Sequence, residues 1–165
     1  MAATRDIVAT YRGPAPVVRR LLGQGPREDR ALIYVMTACL LVFVAQTPRL
    51  AREAFVSGQD LGMLMGGTLL AWLFIAPLLL YLIAAISHLV ARTMGSKLTA
   101  FGARIALFWA LLAASPVMLL WGLTAGFIGS GLELTVVGIL WLLVFVWFWG
   151  AGLSGAAKAE TEAQA

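Results

Sequence analysis

His88 is the one histidine of the chain, Ser87 stands beside it, and Cys39 is the one cysteine. An imidazole next to a hydroxyl is the pairing from which a nucleophile could be activated. Adjacent residues on a helix point about 100° apart, however, and no carboxylate stands near His88 in sequence to orient the ring. One histidine excludes a bis-histidine haem within one chain and a zinc site built from several histidines. One cysteine excludes an intramolecular disulfide and a thiol metal cluster. The remaining polar residues of the apolar stretches, among them Gln46, Tyr81 and Ser115, are neutral. Glycine-rich phosphate loops and paired acidic metal ligands are absent. The expectation is a protein without enzymatic activity, cofactor, metal, nucleic-acid partner or identifiable small-molecule substrate.

The elements that carry these residues follow from where charge is missing. Residues 31–48, 61–91, 105–132 and 134–157 contain no Asp, Glu, Lys or Arg, 61% of the chain is apolar, and the mean hydropathy is +0.91. A bilayer core about 30 Å thick needs roughly 20 apolar residues in helix. The pattern predicts an all-α, multi-pass transmembrane bundle of four spans, at about 31–48, 63–90, 105–128 and 133–150, with room for a shortened or re-entrant fifth element. Ionisable groups in mid-membrane mark ion and proton paths because they are costly to bury. These windows have none, which speaks against an ion-coupled transporter.

Prolines and glycines punctuate the windows. Gln46, Thr47 and Pro48 mark the exit of the first span, and a loop is expected from Arg49 to Asp60. Pro77 sits near the centre of the overlong second window and Pro116 lies inside the third, so kinks are expected at both. The third span is expected to begin at Ile105, after a basic loop holding Arg92, Lys97 and Arg104. Gly62, Gly66 and Gly67, and again Gly122 and Gly126, have the small-residue spacing that permits close helix contact.

Residues 1–30 form a basic leader with six arginines and no secretory signal. Two short amphipathic helices are predicted in it: residues 4–12, with Ile7, Val8 and Tyr11 on one face, and a segment near Pro16 carrying Val17, Val18, Leu21 and Leu22. Both suit a membrane surface, with Arg19, Arg20, Arg27 and Arg30 touching anionic headgroups at about 1 kcal/mol each. Residues 151–165, small and alanine-rich, are expected to be a disordered tail. With four spans, ten of the twelve Lys and Arg residues fall on the side of the leader and only Arg49 and Arg52 on the other. The positive-inside rule then places both termini in the cytoplasm.

Two resemblances add to this. Ala84 to His88 is similar to the small-xxx-His spacing with which light-harvesting polypeptides hold bacteriochlorophyll, so His88 is a candidate pigment ligand. It implies, as the second reading, an accessory subunit of a respiratory or photosynthetic membrane complex. Over a longer range, the runs Asp6-Ile7-Val8-Ala9-Thr10-Tyr11-Arg12, Val18-Arg19-Arg20-Leu21-Leu22, Arg27-Glu28-Asp29-Arg30-Ala31-Leu32 and Phe43-Val44-Ala45-Gln46 carry a second likeness. With Ser87-His88-Leu89-Val90-Ala91-Arg92, Ala103-Arg104 and Leu107 to Ala113, they resemble a bacterial, alphaproteobacterial-like member of the Yip1 family over about residues 4–150. That resemblance implies a non-catalytic inner-membrane protein that organises membrane or scaffolds other membrane proteins, including copies of itself. The eukaryotic relatives contact prenylated Rab GTPases through a longer acidic and aromatic N-terminal region. This leader is short and basic, so GTPase binding does not carry over. The family is also described with five spans, against four here. Arginine over lysine and abundant alanine fit a GC-rich bacterium, and hence its inner membrane.

Overall fold

The computed structural model describes residues 2–162, which form no strand. Helices α1 (Ala2–Arg12) and α2 (Pro14–Leu22) precede α3 (Glu28–Ser57), α4 (Leu61–Leu70), α5 (Ala76–Thr93), α6 (Ala100–Ala113), α7 (Ser115–Phe127) and α8 (Leu132–Glu162). A π turn, Ala71–Ile75, joins α4 to α5 in one rod, Leu61–Thr93. That rod, α3 and α8 are each long and apolar enough to cross a membrane. The pair α6 and α7, bent by 43°, makes a fourth crossing if it is taken as one span.

Helix α6 is the centre of the bundle. Ile105, Leu107, Phe108 and Trp109 are almost completely buried, because α3, α5, α8 and the leader helices surround it. A helix apolar on every side is stable only when enclosed in this way. By contrast α4 buries no residue and rests on α3, leaving Met63 and Leu70 exposed.

Two glycines set the closest approach. A Cβ on Gly122 of α7 would lie 1.7 Å from the Ala45 carbonyl oxygen of α3, and one on Gly126 would lie 2.4 Å from Pro48 Cβ. Backbone against backbone is what the small-residue spacing provides. The similar set Gly62, Gly66 and Gly67 receives no neighbouring helix: among the described residues a Cβ on Gly66 or Gly67 would meet nothing within 4 Å beyond its own helix, and one on Gly62 would meet only Asp60.

Prolines act differently from expectation at one position. Pro48 does not end the first span, since α3 continues to Ser57 and the connection shrinks to Gly58–Asp60. Proline removes the N–H that would bond the carbonyl four residues back, here Val44. Thr47 Oγ1 donates to that carbonyl at 2.8 Å and replaces the lost bond. Arg49 pairs with Glu53 one turn on, and Gly58, at φ 70°, supplies the left-handed cap. At Pro77 the distortion is the π turn, with Ala76 N–H reaching back five residues to Ala71. At Pro116 the helix breaks outright between Ala113 and Ser115.

Two further boundaries move, and one apolar face is covered by protein. Helix α6 starts at Ala100, capped by Thr99, so Arg104 lies inside the helix and not in a loop. The tail expected to be disordered is helical to Glu162, since Gly152, Gly155 and Ala156 are buried and a Cβ on Gly155 would press within 2.8 Å of the Ala15 carbonyl oxygen. Residues 163–165 lie outside the described residues. The leader helices form as expected, but Val17, Val18 and Leu21 are buried against protein rather than spread on a membrane surface. The small residues of α8 and α6 offer that face a fitted groove.

Candidate functional site

Polar side chains gather at the end of the bundle where the leader, the starts of α3 and α6 and the end of α8 meet. Helices α1 and α2 fold back on each other about Gly13, with Arg20 bonded to Asp6 across the pair. Helix α1 of this hairpin docks on the bundle through two polar contacts. Trp109 Nε1 donates to Thr10 Oγ1 at 3.0 Å, and the same hydroxyl donates to the Asp6 carbonyl at 2.7 Å, so the buried threonine is satisfied in both roles. Tyr11 Oη donates to the Ala113 carbonyl at 3.1 Å, and its ring meets Phe148 edge-on at 5.0 Å.

The second bond explains how the broken span is tolerated. Beyond the break, Val117 N–H bonds Ala114 at 3.2 Å, one residue short of its regular α-helical acceptor, Ala113. The Ala113 carbonyl accepts from Tyr11 instead. Irregular backbone at membrane depth requires protein partners, because hydrocarbon supplies none. Burial pushes the Tyr11 phenol above its ordinary value, which keeps it protonated and able to donate.

The tail is held by its carboxylates. Glu160 accepts from both the backbone N–H and the hydroxyl of Thr99, at the positive end of α6, while Thr99 Oγ1 accepts from Gly102 N–H at 3.1 Å. Glu162 pairs with Arg19 at 2.9 Å. These groups border an open cavity of about 670 Å³ lined by Arg19, Arg20, Thr99, Phe101, Glu160 and Glu162. Its two guanidinium groups and two carboxylates balance in charge.

Three of the four arginines expected at lipid headgroups have a carboxylate partner while their side chains stay about half exposed. Arg19 pairs with Glu162, Arg20 with Asp6, and Arg27 with Asp29 at 3.2 Å. Arg30 is half-buried, and its Nη1 is enclosed without an acceptor among the described residues. His88 Nδ1 lies 2.9 Å from the Leu98 carbonyl oxygen. A carbonyl only accepts, so Nδ1 carries the hydrogen and the ring ties α5 to the connection before α6. Ser87 donates to the Ile83 carbonyl of its own helix, not to the imidazole. Among the described residues no three of His, Cys, Asp and Glu converge on one point.

At the opposite end Arg52 Nη1 donates to the Gly126 and Phe127 carbonyls, at 3.3 and 3.4 Å, and neutralises the negative end of α7. Sequence reasoning missed Thr10, Tyr11, Glu160 and Arg52. Only Tyr11 gave a signal, as a polar-tipped aromatic on the apolar face of α1. Comparison with protein-family models, curated proteins and solved structures returned no match.

Proposed function

We propose that this chain is a non-catalytic, multi-pass membrane protein of the Yip1 type, residing in a bacterial inner membrane and working as a scaffold for other membrane proteins or for copies of itself. The observation that carries the reading is how the polar side chains between its helices are spent. Buried Thr10 and Thr124 and the more exposed Tyr11 and His88 each bond helix backbone or a neighbouring helix, and the enclosed nitrogens of Arg30, Arg104, Trp141 and Trp149 that lack a partner among the described residues are donors only. Sites that do chemistry keep polar groups aimed at an open space for substrate. A rigid bundle with lipid-facing apolar helices serves assembly better than turnover.

Both termini are assigned to the cytoplasm on charge asymmetry, with the paired and unpaired bases of the leader end facing anionic lipid. Photocrosslinking in native membranes followed by mass spectrometry tests the scaffold role, with a reproducible set of membrane-protein neighbours or self-adducts expected. Recovery of lipid adducts alone would refute it. A reporter enzyme active only outside the cytoplasm, fused after residue 165, should stay silent.

A further inference from the structure

Two arginines of the leader without carboxylate partners among the described residues were not among those expected at headgroups. On α1, Arg5, Val8 and Arg12 fall at i, i+3 and i+7 and so share one face. All three are exposed, Val8 at 59%, and neither arginine is ion-paired among the described residues. The opposite face of the same helix buries Thr10 against Trp109. An apolar side chain flanked by two free guanidinium groups, on a helix fixed to a membrane bundle, is the pattern of an interfacial amphipathic helix.

The depth of α1 agrees. From Glu133 to Phe148, α8 rises about 22 Å at 1.5 Å per residue, which places Phe148 within the last third of a core about 30 Å thick. Tyr11 touches Phe148, and Trp147, half-exposed on the outer side of α8, lies 5.2 Å from the same ring. Trp147, Phe148 and Tyr11 thus form a continuous aromatic cluster about 8 Å inside the edge of that core, a distance that long arginine side chains cover by snorkelling to the headgroups. Helix α1 meets α8 at the Tyr11–Phe148 contact, and its Arg5, Val8 and Arg12 face is exposed beside it.

We infer that the Arg5, Val8 and Arg12 face of α1 is a contact for anionic phospholipid headgroups, Val8 entering the acyl boundary while both guanidinium groups reach phosphate. The inference rests on the membrane reading above and narrows its lipid contact. Arg20 ties the two leader helices together, Arg19 ties them to the tail and Arg27 pairs with neighbouring Asp29, so these three attract anionic lipid less than Arg5 and Arg12 do.

The test reconstitutes the full chain in phosphatidylcholine vesicles containing a minor share of phosphatidylglycerol. Electron paramagnetic resonance then compares how strongly the protein immobilises spin-labelled phosphatidylglycerol and phosphatidylcholine. Wild type should prefer the anionic lipid. Arg5→Gln and Arg12→Gln should each lower the affinity of that contact about fivefold, and the double variant should approach parity. Arg19→Gln with Arg27→Gln should keep the preference. The reverse ranking, or a double variant indistinguishable from wild type, overturns the inference. As a second measurement, a fluorophore on Val8→Cys should be quenched by spin-labelled lipid and spared by aqueous iodide; quenching by iodide alone overturns it too. Carbonate extraction separates the two levels. Protein that stays in the membrane while the lipid ranking fails removes only this contact, whereas protein released by carbonate removes the membrane reading itself.

Discussion

Tyr11 in the first helix donates its phenol to the carbonyl of Ala113, at the break between α6 and α7, across a separation of 3.1 Å. The leader is thereby a structural part of the bundle. Tyr11→Phe keeps the ring against Phe148 but leaves the carbonyl without its donor, which should cost about 1–3 kcal/mol. Reversible unfolding in mixed detergent micelles measures the loss. Thr10→Val, which strands the Trp109 indole N–H, should cost a similar amount.

A pH dependence follows from the same residue. The folded phenol titrates above its ordinary value of 10.0, so the unfolded chain loses this proton first as pH rises. The stability from Tyr11 is fully present below pH 10 and is lost as pH climbs through the folded value. Wild type should therefore lose stability above pH 10 more steeply than Tyr11→Phe, with the difference between the two curves isolating this group.

The glycines of α7 and α4 should respond oppositely to alanine. At Gly122 the added carbon would fall 1.7 Å from the Ala45 oxygen, so α3 and α7 must separate. Overpacking of this kind costs about 1–3 kcal/mol, and a backbone obstacle puts it at the upper end. Gly66→Ala meets nothing within 4 Å and gains up to about 1 kcal/mol of helix propensity. Thermal unfolding of the two variants in one detergent should shift in opposite directions.

The long apolar windows were legible because hydrocarbon rejects unpaired charge, a property each residue displays by itself. Contacts were not. Val17, Val18 and Leu21 announce an apolar face, yet lipid and protein bury such a face equally well, and only the groove beside Gly152 and Gly155 decides between them. The alanine-rich tail reads as disordered for the same reason: its fitness for helix depends on Ala15, distant in sequence. Arg19, Arg20 and Arg27 read as free cations because Glu162, Asp6 and Asp29 become partners only through the fold or a local turn.

The tail itself offers a direct test. Glu160 is the acceptor for two donors of Thr99, while the last turn of a helix is otherwise an unfavourable place for a carboxylate. Glu160→Ala removes the anchor of the tail and leaves both donors of Thr99, the cap of α6, without their acceptor. Amide exchange over residues 152–162 should rise by about one to two orders of magnitude, equivalent to about 1.4–2.8 kcal/mol, with the interior of α8 unchanged. Equal exchange in both proteins would mean that packing on Ala15 and the Glu162–Arg19 pair hold the tail without Glu160.

Thr47 and Pro48 were read as the exit of a span and turn out to continue it, because one side chain repairs what the other breaks. Thr47→Val removes the hydroxyl that bonds the Val44 carbonyl at 2.8 Å, leaving that carbonyl with neither partner. The cost should be about 1–3 kcal/mol. In a Pro48→Ala background the backbone N–H returns and fills the role itself, so the same Thr47→Val change should then be nearly neutral. A double-mutant cycle on unfolding free energy reads the coupling directly, and about 1 kcal/mol or more is expected. A cycle that closes without coupling would show that the hydroxyl contributes nothing to carrying α3 past its proline.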